Sequence, residues 1–127
     1  MEVVPVNLDY DLDTIHSWWE AHGTEVDLGK VLSDRGLIVP GVCAAWLYLS
    51  DGPMAWIGWS VANPHASPRE VHDGFELIFN EFKDEAAEAG NPVVGAFTAT
   101  SGLIKVFERA GFVAGDRDMT SLFFIGV

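Results

Sequence analysis

MAWIGWSVANPHASPRE, residues 54–70, decides the fold. Its first half, Met54 to Val61, is uncharged and rich in tryptophan and small residues, and it reads as a buried strand. Asn63-Pro64-His65-Ala66 bends the chain. Ser67-Pro68-Arg69-Glu70 then opens a helix. Ser67 accepts from the freed amides, proline suits the first helical position, and glutamate stands three residues after the cap. A strand that runs straight into a capped helix leaves amides facing outward, which is a place to hold an anion or a polar ligand.

Downstream, Val71, Phe75, Ile78, Phe82, Ala86 and Ala89 recur every three or four residues and predict a core-facing helix from Pro68 to Ala89, stopped at Gly90. Gly74 costs this helix about 1 kcal/mol relative to alanine, so it reads as a point of close approach or small-residue packing. Asn91-Pro92 opens a strand, Val93 to Ala99. Strand, long helix, strand is a β-α-β unit with parallel strands and a right-handed crossover. Thr98-Ala99-Thr100-Ser101 is a second polar bend before a helix lined by Leu103, Val106, Phe107 and Ala110 and ended by Gly111. Phe112 to Ala114 and Met119 to Ile125 are expected as the last two strands, joined by a turn at Gly115-Asp116-Arg117-Asp118.

Upstream, Met54 to Ala62 is the third strand of an antiparallel meander with Leu37-Ile38-Val39 and Val42 to Ser50, turned at Pro40-Gly41 and Asp51-Gly52-Pro53. Val3 to Asn7 carries Pro5 and belongs at a sheet edge. Asp9-Tyr10-Asp11 is expected to cap a first helix whose apolar face is Leu12, Ile15 and Trp19, ending at Gly23, with Trp18 partly exposed. Leu28, Val31 and Leu32 suggest a short second helix stopped at Gly36. Together these predict a single α/β (α+β) domain over residues 1–127. Its sheet is mixed and mostly antiparallel, with a central parallel β-α-β crossover and helices on both faces.

The chain has 127 residues, 49% of them hydrophobic and 20% charged, which suits one globular core. No apolar run is long enough to span a bilayer, and the N-terminus has no secretory pattern, so a membrane partner is not expected and a cytoplasmic location is. The lone Cys43 excludes an internal disulfide and reads as a small buried hydrophobe. Nineteen acidic against seven basic residues leave a net charge of −12. That charge repels phosphate backbones, making nucleic acid an unlikely partner, and attracts basic ones. His16, His22 and His72 show no metal-ligand spacing.

The ending TSGLIKVFERAGF, residues 100–112, taken with the order of elements, resembles the GNAT (Gcn5-related) N-acetyltransferases. The short, compact chain looks like the small members encoded by bacteriophages. The resemblance implies that the strands at 54–62 and 93–99 diverge and hold acetyl-coenzyme A, or coenzyme A, in the wedge between them. Pantetheine would pair with the backbone of Trp59, Ser60, Val61, Ala62 and Asn63. The pyrophosphate would rest on the loop of His65, Ala66, Ser67 and Arg69, with Thr98, Thr100, Ser101 and Phe107 contributing from the other side.

Against the family pattern, the phosphate loop has no glycine, and Pro68 lacks an amide. The first wedge strand carries no carboxylate to act as base, and the usual tyrosine of the last helix is Phe107. His65, beside the phosphate turn, and Tyr48, on the preceding strand, are the candidate catalytic side chains, and no metal is expected. The resulting expectation is an acetyl-coenzyme A-binding N-acetyltransferase with a degenerate site, acting on an amine of a small molecule or protein as a monomer or homodimer. The alternative is a catalytically weak or inactive fold of this kind acting as a phage effector that binds and modulates a host protein. A third reading, modification of nucleobases, is opposed by the acidity.

Overall fold

The protein is described by a computed structural model, in which residues 1–24, 28–98, 100–124 and 126 are described. Five strands form one sheet in the order of the chain: β1 (Val4–Pro5), β2 (Gly36–Val39), β3 (Cys43–Tyr48), β4 (Met54–Ala62) and β5 (Val93–Ala96). The first four pair antiparallel, and β4 pairs parallel with β5, as the expected crossover requires. Helix α1 (Leu8–Ala21) covers one face; α2 (Pro68–Glu88) and α3 (Ser101–Arg109) cover the other. β2 is buried along its whole length, and β3 throughout except for the half-buried Tyr48, because side chains of both alternations meet a helix layer.

Each helix stops for the same reason. A glycine takes the left-handed conformation, and the next residue donates back to the carbonyl five before it: Thr24 to Trp19 (3.1 Å), Asn91 to Ala86 (2.7 Å) and Phe112 to Phe107 (3.0 Å). The third case explains the ending FERAGF physically. Phe112, just past the stop, packs edge-on against Phe107 with ring centroids 5.0 Å apart, the apolar contact that accompanies this kind of helix end.

The two cores are aromatic in different ways. Beneath α2 and α3, Phe79 is fully buried and stacks on Phe107 at 4.0 Å and on Phe75 at 5.4 Å. Phe79 lies outside the expected stripe, and Ala89, placed on it, is exposed. Beneath α1, Ile15, Trp18, Ile38, Ala44, Trp46 and Val61 form the second cluster. Gly74 is a point of close approach. A Cβ there would lie 2.8 Å from Cys43 Sγ and 3.2 Å from Val42 Cγ1, so α2 rests directly on β3. Gly74→Ala is therefore expected to destabilise by about 1–3 kcal/mol despite alanine's better helix propensity, as urea unfolding will measure. The loss should shrink in a Cys43→Ala background.

Four expectations are corrected. The first helix is capped by Asn7, whose side chain accepts from Asp9 N at 3.1 Å, and it starts a turn earlier than the acidic cluster suggests. Trp18 is the buried tryptophan, at 5% exposure, and Trp19 is half-buried, because Ile15 and Trp18 together face the sheet. The short second helix is a single 3-10 turn, Leu28–Lys30, and Gly36 begins β2 instead of ending a helix. The two C-terminal strands are absent among the described residues, with Ile125 and Ala99 lying outside them. Their residues have strand propensity without a ladder partner, which does not suffice to make a strand. Phe112 serves the α3 stop, Val113, Leu122 and Phe124 are almost fully exposed, and the outer edge of β5 is left without a described strand partner.

Candidate active site

The site begins with a mismatch between β3 and β4. Trp46 pairs with Gly58 and Ala44 with Val61, so two residues, Trp59 and Ser60, face the single Ala45. This is a β-bulge, and Trp59 takes a left-handed backbone with φ 57° to make it. A tryptophan is strained in that region, and its ring is held by an edge-on contact with Trp19, centroids 5.7 Å apart. On the other side, β5 follows β4 only from Met54↔Val93 to Ile57↔Ala96. Pairing stops where the bulge begins. β4 continues toward Ala62 along β3 with no described strand on its β5 side, which is the place where the expected wedge would lie.

The far end of β4 shows which groups face that side. Asn63 N donates to Val42 O at 2.8 Å, toward β3. Strand alternation then turns the Ala62 peptide groups the opposite way, away from β3 and toward the unpaired side of β4. His22, just past α1, reaches the Ala62 carbonyl with Nε2 at 3.1 Å. A carbonyl only accepts, so Nε2 carries a proton and donates to it. His22 was overlooked in the sequence because 40 residues separate it from Ala62.

Two helix N-termini stand side by side at the mouth. Nε2 of His72, in α2, lies 3.5 Å from the position a Cβ would take at Gly102, in the first turn of α3. The two ends differ in what they offer. At α2 the capping box is complete: Ser67 Oγ accepts from Glu70 N (3.2 Å), and Glu70 Oε1 accepts from Ser67 N (3.3 Å) and Ser67 Oγ (3.0 Å). His65 N donates to Asn63 Oδ1 (3.0 Å), and Ala66 N to Asn63 O (3.1 Å). The expected phosphate cradle is therefore mostly closed by its own chain and carries a carboxylate at the dipole's positive end. Arg69 N is the amide of His65–Arg69 with no described acceptor. At α3 the cap, Thr100, makes no side-chain bond, the first turn has no acidic residue, and Thr98 Oγ1 accepts only from Thr100 N at 3.1 Å. Among the described residues, the amides of Ser101 and Gly102 have no acceptor, against Arg69 alone at the α2 end.

The remaining candidates fall as follows. The His65 side chain is exposed and makes no described hydrogen bond. The Tyr48 hydroxyl donates to Val31 O at 2.8 Å, and burial pushes its pKa up to about 12, so its proton is tied to a structural contact. Phe107 is 7% exposed and stacked in the core, so its ring serves the packing of α3 on α2. No cluster of three metal-ligating side chains exists among the described residues, and no described helix is long and apolar enough to cross a membrane.

No family model matches the chain, and no curated protein does. Solved structures match end to end. A single-site mutant of TTHA1254 from Thermus thermophilus aligns with a TM-score of 0.71 at 13% identity, covering 100% of this chain and 99% of that one. A protein from Agrobacterium tumefaciens str. C58 that is named a putative acetyltransferase aligns at 0.67 and 14%, covering 99% and 100%. A possible acetyltransferase from Clostridium difficile 630 aligns at 0.59 and 20%, covering 98% of each. All three are bacterial proteins, so the expected likeness to phage members gains nothing from them. At these identities the likeness speaks for architecture: this chain has the mixed α+β fold of the GNAT-like acetyltransferases.

Proposed function

We propose that the protein binds acetyl-coenzyme A in the β4–β5 wedge and directs the acetyl group to an amine. The observation that carries this reading is the bulge at Trp59, which begins where the pairing of β4 with β5 stops, beside two adjacent helix N-termini. The bound coenzyme would supply a thioester whose carbonyl carbon is open to an amine. Trp59, Ser60, Val61, Ala62 and Asn63 offer backbone along the wedge, with the Ala62 carbonyl already taken by His22. For the diphosphate we favour the open amides at Ser101 and Gly102, with Thr98, Thr100, Arg69 and His72 around them. His22 is our choice for the proton acceptor. In the tautomer with the proton on Nε2, Nδ1 would take a proton from the substrate amine as its nitrogen attacks the thioester carbon, a role for which β4 offers no carboxylate; the C–S bond then breaks and coenzyme A leaves as the thiolate, which takes up a proton from solvent.

A second reading is favoured by the same lack of a carboxylate and by the net charge of −12: the wedge binds the coenzyme without turnover, and the acidic surface docks a basic protein. Calorimetric titration of acetyl-coenzyme A, followed by thiol release with a panel of amines, separates the two. Binding with turnover supports transfer, and binding without turnover supports the second reading. No heat at millimolar acetyl-coenzyme A overturns both. The capping carboxylate gives an internal check. Glu70→Gln is expected to tighten coenzyme binding about two- to fivefold by removing a charge that opposes phosphate at the α2 end.

A further inference from the structure

A cavity of about 430 Å³ lies where the end of β1, the start of α1 and the entry to β2 meet. The buried side chain in its wall is Trp46 of β3, which is 1% exposed and packs under α1. Gly36, its partner across the sheet, gives the ring room: a Cβ at Gly36 would lie 2.4 Å from Trp46 Nε1. Trp46 Nε1 makes no hydrogen bond among the described residues. Trp19 Nε1 is the one sealed donor without a partner among them, so Nε1 of Trp46 keeps contact with the cavity. A donor on an otherwise buried ring, open only to a cavity of small-molecule size, points to an acceptor atom placed there.

The other groups at the cavity narrow the chemistry. Ser33 Oγ is taken, donating to Leu47 O (2.7 Å) and accepting from Arg35 N (3.2 Å). The Asn7 and Asp9 amides are bonded to Asp11 Oδ2 (2.9 Å) and Asn7 Oδ1 (3.1 Å). The Leu8 amide and the Asp34 carboxylate have no described partner, and both residues line the cavity. No lysine or arginine lines it, and Arg35, next to Asp34, is turned to Glu85 of α2 at 3.3 Å. With Asp34 in the wall and Asp9 and Asp11 in the first turn of α1, the local field is negative and repels a carboxylate ligand. An ammonium has no acceptor to offer Trp46 Nε1. The group that answers both Trp46 and Asp34 is neutral and carries an acceptor beside a donor.

We propose that this cavity binds a primary carboxamide carried on a flat ring. The carbonyl oxygen accepts from Trp46 Nε1, the amide N–H donates to the Asp34 carboxylate, and the ring lies against the apolar wall of Pro5, Val6 and Leu8. The site does not depend on the transferase reading. It sits at the N-terminal end of α1, and His22 lies past the other end, about 21 Å of helix away.

The test uses three probes of one shape: benzamide, benzoate and benzylammonium. Each is titrated into the full chain by calorimetry, and the tryptophan indole N–H resonances, assigned in the native protein, are followed in a proton–nitrogen correlation spectrum. Benzamide should bind at least about tenfold more tightly than the other two, because only it satisfies both groups. It should also move the Trp46 indole N–H downfield as that donor gains an acceptor. Asp34→Ala changes an exposed residue and leaves the core intact. It should weaken benzamide about fivefold and strengthen benzoate, since it removes an acceptor and a repelling charge together. Benzoate or benzylammonium binding as tightly as benzamide, no binding of benzamide at millimolar concentration, a Trp46 resonance that stays in place, or an Asp34→Ala effect of one sign on both ligands overturns the proposal.

Discussion

Phe79→Ala is expected to be the most damaging single truncation in the protein, at about 3–5 kcal/mol. Phe79 is fully buried and is the ring through which α2 holds α3. It stacks on Phe107 at 4.0 Å, on Phe75 at 5.4 Å, and meets Phe112 edge-on at 6.4 Å. Removing it takes away its own buried surface and one side of two other rings, and the cavity cannot close without moving α3. Phe107 and Phe112 are the anchor of the α3 stop, so that helix end should loosen as well. Stabilities of small domains are commonly about 5–15 kcal/mol, so the change consumes a large part of the total. A melting temperature about 10–20 °C lower is expected in a thermal scan. Leu77→Ala, on the same helix but 42% exposed, is the control and should shift it by only a few degrees. Comparable losses at Leu77 and Phe79 would show that α3 is not held through this ring.

What the chain disclosed in advance was local. The capping box at Ser67 and Glu70 is four residues long, and its geometry is complete in the structure. The stops at Gly23, Gly90 and Gly111 are likewise readable, because only glycine takes that backbone without strain. The β-α-β crossover follows from one long amphipathic helix between two apolar strands. The bulge was not legible. A tryptophan at φ 57° has no local signature, and the extra residue exists only by comparison with β3, eleven or more residues away. The orientation of Trp18 and Trp19 was not legible either, because helical spacing alone does not choose between them. Trp18 and Trp19 stand three and four residues after Ile15, so both spacings suit its face, and only the sheet beneath shows which ring is buried.

The candidate site shows the same division. The N-terminus of α2 looked open because the cap was read as a helix start and not as a carboxylate bound to the donors a phosphate would need. His22 and Ala62 meet across 40 residues, and His72 and Gly102 across 30, through the packing of α1 on β4 and of α2 against α3. Active-site geometry of this kind is set by how layers cross, and a single sequence specifies that crossing only through all its contacts at once. The FERAGF ending marks a helix stop and an aromatic anchor. It therefore carried information about fold, and the loss of a tyrosine at Phe107 concerns a residue that is here part of the core.

The second large effect is an alkaline loss of stability centred on Cys43. The thiol is wholly buried, under α2 where Gly74 presses on β3, and burial pushes its pKa from an ordinary value near 9 up to about 12. Between these values the unfolded chain has released the proton while the folded chain still holds it. The unfolded state therefore binds fewer protons, and stability falls as pH rises. The contribution is intact below pH 9 and is lost through the window from 9 to 12, at about 1.4 kcal/mol per pH unit, or roughly 4 kcal/mol in all. Tyr48 adds to the decline above pH 10 with the same sign, by less because its hydroxyl is only half-buried. Urea unfolding at pH 8.0, 9.5 and 10.5 measures the slope in the native protein and in Cys43→Ala. The native chain should lose about 1.4 kcal/mol more than the variant between the last two points. A disulfide-exchange reagent should label the thiol in urea and leave it untouched in the folded protein at pH 8. Parallel pH slopes for the two proteins, or rapid labelling of the folded one, would place Cys43 in contact with solvent and remove the basis for the close packing of α2 on β3.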